Sequence, residues 1–438
     1  MTYYPGLLAT PVPRYTSYPT AAEFTDLVGR SDMEAALAGV RADEPLSLYV
    51  HIPYCHEICW YCGCNTGAAN KAQRLTGYLE GLEAEIALVA ARLGGRGKVQ
   101  RIAFGGGSPN AIAPDQFSAL LDQLRSSFAA NDALLSIELD PRSLNGRWFE
   151  AIAAAEVKRA SLGVQTLEPK VQRAIGRWQP LGLIETAVKE LRRAGVMSLN
   201  FDLMYGLPYQ GIGELEATLE TTLKLRPDRV ALFGYAHVPH LIPRQRRIDG
   251  TTLPDGELRF SQAELGHRVL TEAGYRAVGF DHYALPGDPL AAASAAGQLR
   301  RNFQGFTEDP ADVLIGLGAS AISQFPHFLV QNDKNAGRYR TRVSAGLLPA
   351  DRGVTRSKED QERGRIIERL LCGAEARVEW LVDAELMDRL DPFIARGLIL
   401  FDGSRIWLND EARPYARVIA SLFDTYRQPA ARRFSSAI

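Results

Sequence analysis

Cys55, Cys59, Cys62 and Cys64 crowd into one stretch, HIPYCHEICWYCGCNT at residues 51–66, while the fifth cysteine, Cys372, lies far down the 438-residue chain. The first three have the spacing CxxxCxxC, and Cys64 extends it by CxC. A four-cysteine zinc site usually comes as two separated CxxC pairs, because four ligands surround one small tetrahedral ion. Ferredoxin spacings differ as well. Three close thiolates suit a [4Fe–4S] cube in which the protein holds three irons and leaves one open for an exogenous ligand. Spacing alone leaves two alternatives open: a zinc knuckle helped by His51 or His56, and a ferredoxin-like electron carrier.

The elements around this loop point to a parallel sheet. LSLYVHIP leads into the cysteines, and the next segment places Leu75, Tyr78, Leu79, Leu82, Ile86, Val89 and Leu93 on one face of a helix that Gly94 and Gly95 end. VQRIAFGGG, LLSIELDP, RASLGVQ, LNFDLMYGLP and RVALFGYAHVP read as further strands with helical stretches between them. Six βα units are visible, and YRAVGFDHYA is a candidate seventh. The strands look too apolar to alternate cleanly, as expected for a sheet covered by helices. An open doubly wound sheet and a partial (β/α) barrel both fit that order. The barrel is favoured because strand after strand ends in polar, small or otherwise unusual residues: His51 and the cysteines, Gly105–Ser108, Glu138, Gln165, Asp202, then Ala236 and His237. Parallel barrels build their active sites from those C-terminal strand ends.

The remainder reads as flanking structure. Residues 1–45, including PRYTSYPT, form an N-terminal arm with a helix near 32–42; residues 46–345 are the barrel; residues 346–438 are a mostly helical domain. Within the last, SKEDQERGRIIERLLC is helical and Asp402-Gly403 turns a hairpin between two apolar runs, a winged-helix-like pattern. A packing or lid role is preferred there over DNA binding, since no basic stripe accompanies the helices. Hydrophobic residues make up 46% and charged residues 23%, with a net charge of -1, which gives no general pull toward nucleic acid or membranes. The N-terminus lacks the basic start and apolar run of a signal peptide, and no stretch reaches the roughly 18 apolar residues of a spanning helix. A cytoplasmic protein with reduced thiols is expected.

CxxxCxxC after a first barrel strand, with Tyr61 just before the last cysteine, resembles the radical S-adenosylmethionine (radical SAM) superfamily. The fuller string YVHIPYCHEICWYCGCN, together with GGGSP, SIELDPR, GVQ, DLMYGLP, YAH and RNFQG, is similar to the oxygen-independent coproporphyrinogen III oxidases, from PRYTSYPT to FDTYRQ. The resemblance implies a [4Fe–4S] cluster on Cys55, Cys59 and Cys62, with S-adenosylmethionine chelated to the open iron and cleaved to a 5′-deoxyadenosyl radical. It implies two S-adenosylmethionine molecules. Tyr49, Gly106, Glu138 and Ile322 would contact the first; Tyr61, Gly107, Ser108, Gln165, Arg177, Asp202 and Ala236 would contact the second. Cys64 would lie near the second without binding iron, and Tyr49, Cys64 and Gln304 would serve the reacting centre. The implied substrate is coproporphyrinogen III, two of whose four propionates become vinyl groups with loss of carbon dioxide, giving protoporphyrinogen IX in haem biosynthesis. A low-potential electron donor and a terminal acceptor are implied partners, and the expected state is a monomer.

Four carboxylates call for basic partners. Arg244, Arg246 and Arg247, with Arg300 and Arg301, are the sequence candidates, and Asp281-His282 is a candidate proton relay. The segment before PRYTSYPT is shorter than in familiar members, and Ser108 and Trp60 stand where threonine and tyrosine are common. Three other readings compete. A haem-binding chaperone of the same superfamily lacks the Cys64 equivalent and carries a histidine where this chain has Arg301. A haem-opening radical methyltransferase also lacks Cys64. A simple electron-transfer module leaves a surrounding barrel unexplained.

Overall fold

The computed structural model describes residues 1–69 and 72–427; Gln428, the end of the FDTYRQ string, and the rest of the C-terminus lie outside them. Six strands alternate with helices in the expected order: β1 (Pro45–Ile52), β2 (Lys98–Gly106), β3 (Leu134–Leu139), β4 (Arg159–Gln165), β5 (Ser198–Tyr205) and β6 (Arg229–Gly234). The intervening helices are α2 (Ala72–Leu93), α3 (Pro114–Phe128), α4 (Gly146–Ala154), α5 (Leu181–Arg193) and α6 (Ile212–Leu225), after an N-terminal α1 (Arg30–Gly39). All neighbouring pairs from β1 to β6 are parallel.

The seventh parallel strand is not YRAVGFDHYA. That segment forms β7 (Arg276–Val278) and β8 (His282–Ala284), and β8 runs antiparallel to β6. The seventh is β11 (Val313–Leu317), which returns to pair with the other side of β1, Tyr49 opposite Gly316. A meander of β12 (Ile322–Phe325), β13 (Phe328–Asn332) and β14 (Ala350–Thr355) extends the sheet beyond it. The order is β14-β13-β12-β11-β1-β2-β3-β4-β5-β6-β8-β7, with no pairing between the two edges among the described residues. It is a partial barrel.

The strands alternate after all. On β3, Leu135, Ile137 and Leu139 are buried against the helices, while Ser136 and Glu138 face inward. Likewise Ser161 of β4 and Asn200 and Asp202 of β5 face inward, between buried Leu162, Leu199, Phe201 and Leu203. The outer face packs on helical residues such as Phe117, Leu120, Trp148, Ile184 and Leu219. The inner face lines a polar cavity of about 350 Å3 instead of a second hydrophobic layer. Two-sided use of the sheet explains the discrepancy: apolar positions are dense because one face carries the core, and the inward residues are few and scattered.

An ion network closes the lumen at the N-terminal ends of the strands. Arg101 meets Glu308 at 2.9 Å, Arg159 pairs with the same carboxylate, and Arg229 holds Asp288 at 2.7 Å. Before Glu308 the chain forms a hairpin of β9 (Arg300–Asn302) and β10 (Gly305–Thr307), which sends Gln304 and Phe306 into the lumen.

A second core joins both ends of the chain. It combines α7 (Gly256–Glu272) through Phe260, α9 (Lys358–Leu371), α10 (Ala384–Ile394) and the sheet of β15 (Ala376–Arg377), β16 (Ile399–Phe401) and β17 (Arg405–Leu408), α8 (Ala336–Ser344) having packed earlier on α2. Leu8, Val12, Tyr15 and Tyr18 of the arm are buried in it, and the Tyr15 hydroxyl donates to Asp424 at 2.8 Å. The expected Asp402-Gly403 turn is present, with Gly403 at φ +96 and the Asp402 carboxylate accepting from the backbone of Ser404 and Arg405. The main sheet itself continues to Thr355, past residue 345.

Candidate active site

The cysteine loop begins where β1 ends. Tyr54–Cys55 pairs in parallel with Gly67–Ala68, which pins the base of the loop that carries Cys59, Cys62 and Cys64. Its far side is fixed by Trp60, whose N–H donates to Ile175 O at 3.0 Å. The Trp60 ring lies where a side chain on Gly176 would be, 2.6 Å from an added Cβ, and Gly176 has φ +63. Arg244 holds the end of the loop, donating to the Thr66 hydroxyl at 3.1 Å and to Cys64 O at 3.4 Å.

Two guanidinium groups aim at one of the thiols. Arg177 Nη1 donates to Cys59 Sγ at 3.2 Å and Arg142 Nη2 at 3.3 Å. Both are tied to Asp140, Arg142 at 2.6 Å and Arg177 at 3.2 Å. Asn110 orients this corner by donating to Asp140 O at 2.8 Å and accepting from Asp140 N at 3.0 Å. Burial pushes the Cys55 thiol up to about 12, helped by Cys62, Asp140 and Cys59 nearby. A hydrogen bond from Cys64 instead holds Cys62 low, at about 6. Among the described residues no three His, Cys, Asp or Glu side chains converge on a single point. A four-iron cube takes each thiolate at a separate corner, so its ligands need only surround a common space. Thiol donors beside two cationic hydrogen-bond donors fit an anionic iron–sulfur cluster on Cys55, Cys59 and Cys62.

The glycine run beside the loop is demanded by the protein's own packing. A Cβ on Gly105 would stand 2.7 Å from Glu138, one on Gly106 2.5 Å from the His51 ring, and one on Gly107 2.6 Å from the Tyr54 backbone. Gly106 also has φ +111. These close approaches bring Glu138 and His51 to the lumen wall. Gly106 N donates to Glu138 at 3.2 Å, and the Tyr49 hydroxyl lies 3.1 Å from His51 Nδ1. The Tyr78 hydroxyl anchors His51 from behind, donating to its carbonyl at 2.6 Å.

Across the lumen Asp202 accepts from Ser161 at 2.9 Å and Asn200 at 2.8 Å. Glu138 accepts from the Gly106 N–H, and neither carboxylate forms a salt bridge among the described residues. Enclosure by the lumen walls, then the charge of Asp202, raises the Glu138 carboxyl. Asn200 Oδ1 and His51 Nε2 are buried without a partner among the described residues. Unpaired carboxylates and orphaned polar atoms fit a ligand bearing hydroxyls and positive charge, as S-adenosylmethionine does.

The expected site residues separate into two groups. Glu138, Asp202 and Gln304 line the lumen together, with Tyr49 and Gly106 beside them. Ile322 lies against Gly316, the strand partner of Tyr49, and Gln165 ends β4 at φ +66. Tyr61 and Ala236 are joined through Gln245, whose amide donates to both carbonyls, at 2.9 and 3.0 Å. Ser108 and Arg177 point into protein instead: Ser108 bonds Asn110 at 2.6 Å, and Arg177 is 5% exposed. The Cys64 N–H donates to Cys62 Sγ at 3.4 Å. Cys372 packs with Val278, Leu299 and Phe306 as a small buried hydrophobe, and burial pushes its thiol up.

Two sequence candidates for carboxylate binding are already engaged. Arg300 is paired with Asp312 and Glu368, and Arg301 lies over the rings of Phe306 and Phe280, at 4.5 and 5.1 Å. Asp281 and His282 do form a pair, at 2.7 Å. Arg142 is the functional residue that sequence reasoning passed over. It lies inside the quoted SIELDPR string, but only the fold turns it onto Cys59.

Residues 49–222 match the model of the radical SAM superfamily. The oxygen-independent coproporphyrinogen III oxidase of Bradyrhizobium diazoefficiens is 40% identical over 98% of this chain and 97% of its own length. That of Escherichia coli K12 is 36% identical over 97% of this chain and 96% of its own. The solved structure of the Escherichia coli coproporphyrinogen III oxidase, a radical SAM enzyme, superimposes with a TM-score of 0.91, covering 98% of this chain and all of that one at 34% identity.

Proposed function

The chain belongs to the oxygen-independent coproporphyrinogen III oxidases, radical SAM enzymes of haem biosynthesis, and from that premise we propose that it converts two propionates of coproporphyrinogen III to vinyl groups, giving protoporphyrinogen IX. The observation that carries the reading is the junction of the CxxxCxxC loop with a lumen bearing two carboxylates that form no salt bridge among the described residues. A loop cluster alone would serve electron transfer; a cluster opening onto a shaped polar cavity serves chemistry on a bound molecule.

Cys55, Cys59 and Cys62 would hold the [4Fe–4S] cluster, which with S-adenosylmethionine supplies hydrogen-atom abstraction from carbon. Arg142 and Arg177 donate to Cys59 Sγ and favour extra negative charge on the ligand set. Glu138 would accept hydroxyl or ammonium hydrogens from a first S-adenosylmethionine, with Tyr49, Gly106 and Ile322 near it. Asp202, Gln165, Tyr61, Gly107 and Ala236 would make the region for a second, with Ser108 and Arg177, turned into protein, supporting it from behind. Gln304 lines the same lumen and would hydrogen-bond the substrate. Each reacting propionate loses a β-hydrogen atom and carbon dioxide, and one electron passes to an external acceptor. A low-potential reductant must feed the cluster. The same reading places a monomeric protein in the cytoplasm; no helix among the described residues is long and apolar enough to cross a membrane.

Arg301 bears on the rival haem-binding reading, because a guanidinium stacked on Phe306 offers no iron ligand. The test is anaerobic turnover of cluster-loaded protein with S-adenosylmethionine, reductant, coproporphyrinogen III and a cell extract supplying acceptor. Stepwise loss of two carbon dioxides with formation of 5′-deoxyadenosine is the expected result. Deoxyadenosine without porphyrinogen product would move the substrate elsewhere.

A further inference from the structure

His282 lines the lumen with only one of its two ring nitrogens engaged. The basic side chains lining that cavity, among the described residues, are Arg101, Arg159, Arg229 and His282. The three arginines are tied down at its closed end, Arg101 and Arg159 on Glu308 and Arg229 on Asp288. His282 Nδ1 bonds Asp281 Oδ1 at 2.7 Å, and Nε2 makes no hydrogen bond among the described residues. Nε2 lies 3.8 Å from where a Cβ on Gly305 would stand, next to Gln304 in the β9–β10 hairpin.

The imidazole is held in one orientation. β8 sets His282 opposite Ala231 of β6, and the preceding Asp281 O accepts from Leu232 N at 2.8 Å. The rings of Phe233 and Phe306 stand edge-on to it, 5.5 and 5.0 Å between centres. Burial works against charge on Asp281, but His282, then Arg301 and Arg14, hold its carboxyl below the usual range. An ionised Asp281 needs a hydrogen on Nδ1 to accept. That leaves Nε2 with a lone pair in the neutral ring and with an N–H in the imidazolium.

The substrate class decides which of these is used. A carboxylate arriving at Nε2 favours the imidazolium, with Asp281 on one side of the ring and the new charge on the other. Glu138 and Asp202 line the same cavity, and like charges disfavour ionisation of a carboxyl brought beside them. Only an ionised carboxylate releases carbon dioxide, so the lumen needs a cation at the side chain's acid end. The arginines at the closed end are already paired; His282 is not.

We propose that His282 Nε2, aligned by Asp281, holds the carboxylate of the reacting propionate inside the lumen, beside Gln304. The inference rests on the tetracarboxylate substrate proposed above. His282 touches the substrate, and Asp281 is a positioning residue that acts through it. After the β-hydrogen atom is removed, the bond to the carboxylate breaks and carbon dioxide leaves. Of the three electrons left on the side chain, two form the double bond and the third goes to the external acceptor. The proton stays on His282, so the pair is a clamp and passes none to the product.

The test is binding of coproporphyrin III, the stable oxidised ring, and of its tetramethyl ester to the cluster-loaded protein, followed by fluorescence, beside anaerobic turnover of coproporphyrinogen III. His282→Gln should weaken the tetra-acid about tenfold, the size of one charge-assisted hydrogen bond, and leave the ester unchanged. Asp281→Asn should weaken it in the same selective way. Adding His282→Gln to Asp281→Asn should lose little more, because Asp281 acts through the imidazole. In turnover His282→Gln should raise KM and also lower kcat, since the group it holds is the one that reacts. Thermal unfolding and iron content check each variant, and if His282→Gln does not fold, Asp281→Asn decides. Unaltered tetra-acid affinity, or equal loss for acid and ester, overturns the inference and leaves the enzyme's function standing. A raised KM at full kcat would put a non-reacting propionate there and overturns it too. A wild type that binds neither porphyrin and turns over no coproporphyrinogen removes the substrate reading, and the inference with it.

Discussion

Arg177 reaches Cys59 Sγ at 3.2 Å with one guanidinium nitrogen and Asp140 at 3.2 Å with the other. A buried cation is thus placed against the outer side of the thiolate set, and Arg142 repeats the contact from a second direction.

Hydrogen bonds to ligand sulfurs raise cluster potentials by stabilising the more reduced, more negative state. Arg142→Gln should therefore shift the cluster midpoint to a more negative value, by roughly 60 mV, a tenfold change for one electron. A redox titration followed by electron paramagnetic resonance reads this directly. Arg177→Met should shift it further but at a folding cost of about 1–3 kcal/mol, since Asp140 loses one of its two buried partners and keeps Arg142. An unchanged midpoint in Arg142→Gln would leave that arginine a packing role only.

The cysteines should divide three to one. Serine at Cys55, Cys59 or Cys62 should remove most bound iron and all S-adenosylmethionine cleavage, because each is proposed to hold a different corner. Cys64→Ser should keep the iron content and the cluster spectrum and lose porphyrinogen turnover. Iron and sulfide analysis beside an activity assay separates the outcomes. Loss of iron from Cys64→Ser would make it a ligand.

The six βα units, the cysteine loop and the strand-end residues were legible because local pattern dictates them: apolar runs, glycine stops and polar residues at fixed places in each unit. The closing part of the sheet was not. β11 reads VLIGL, a short apolar run that no helical stretch introduces, and it is followed by antiparallel strands where the pattern of the preceding units leads one to expect a helix. The alternation of the inner face was hidden for a related reason, since one polar residue per turn of sheet reads as noise until the lumen exists. Arg177 shows the limit most sharply. Its spacing from the cysteines in sequence carries no information about a 3.2 Å contact that depends on β4, Asp140 and the Trp60–Gly176 packing all at once.

Glu138 should govern S-adenosylmethionine affinity and its pH dependence. Its carboxyl is raised by enclosure and by Asp202, so it gains its charge only at a pH above the ordinary carboxylate range. An ionised Glu138 accepts hydroxyl or ammonium hydrogens better than a neutral one. Binding should strengthen as pH rises through that raised value, and Glu138→Gln should bind about tenfold more weakly with a flatter profile. Calorimetry across the range measures both. A parallel profile in the variant would assign the titration to another group.

Glu85 offers a stability prediction far from the cysteines. It is 1% exposed and accepts from Gly318 N at 2.6 Å, the Tyr339 hydroxyl at 2.6 Å and Asn332 Nδ2 at 2.7 Å. Burial outweighs these three donors and raises its carboxyl from 4.5 to about 7. Between those values the folded protein keeps a proton that the unfolded chain has released, so unfolding releases it and stability falls as pH rises. The loss is complete above about pH 7 and amounts to about 3 kcal/mol at 1.36 kcal/mol per pH unit of difference. Glu85→Gln cannot ionise, so the slope contributed by this site should vanish. Its amide supplies one acceptor where the three donors meet, which should cost about 1 kcal/mol at low pH, where the wild-type group is neutral. The two stability curves should therefore cross: the wild type more stable below pH 5, the variant equal or more stable at pH 8. Anaerobic denaturant unfolding at both values decides it, and parallel curves would show that Glu85 is ionised in the folded protein throughout.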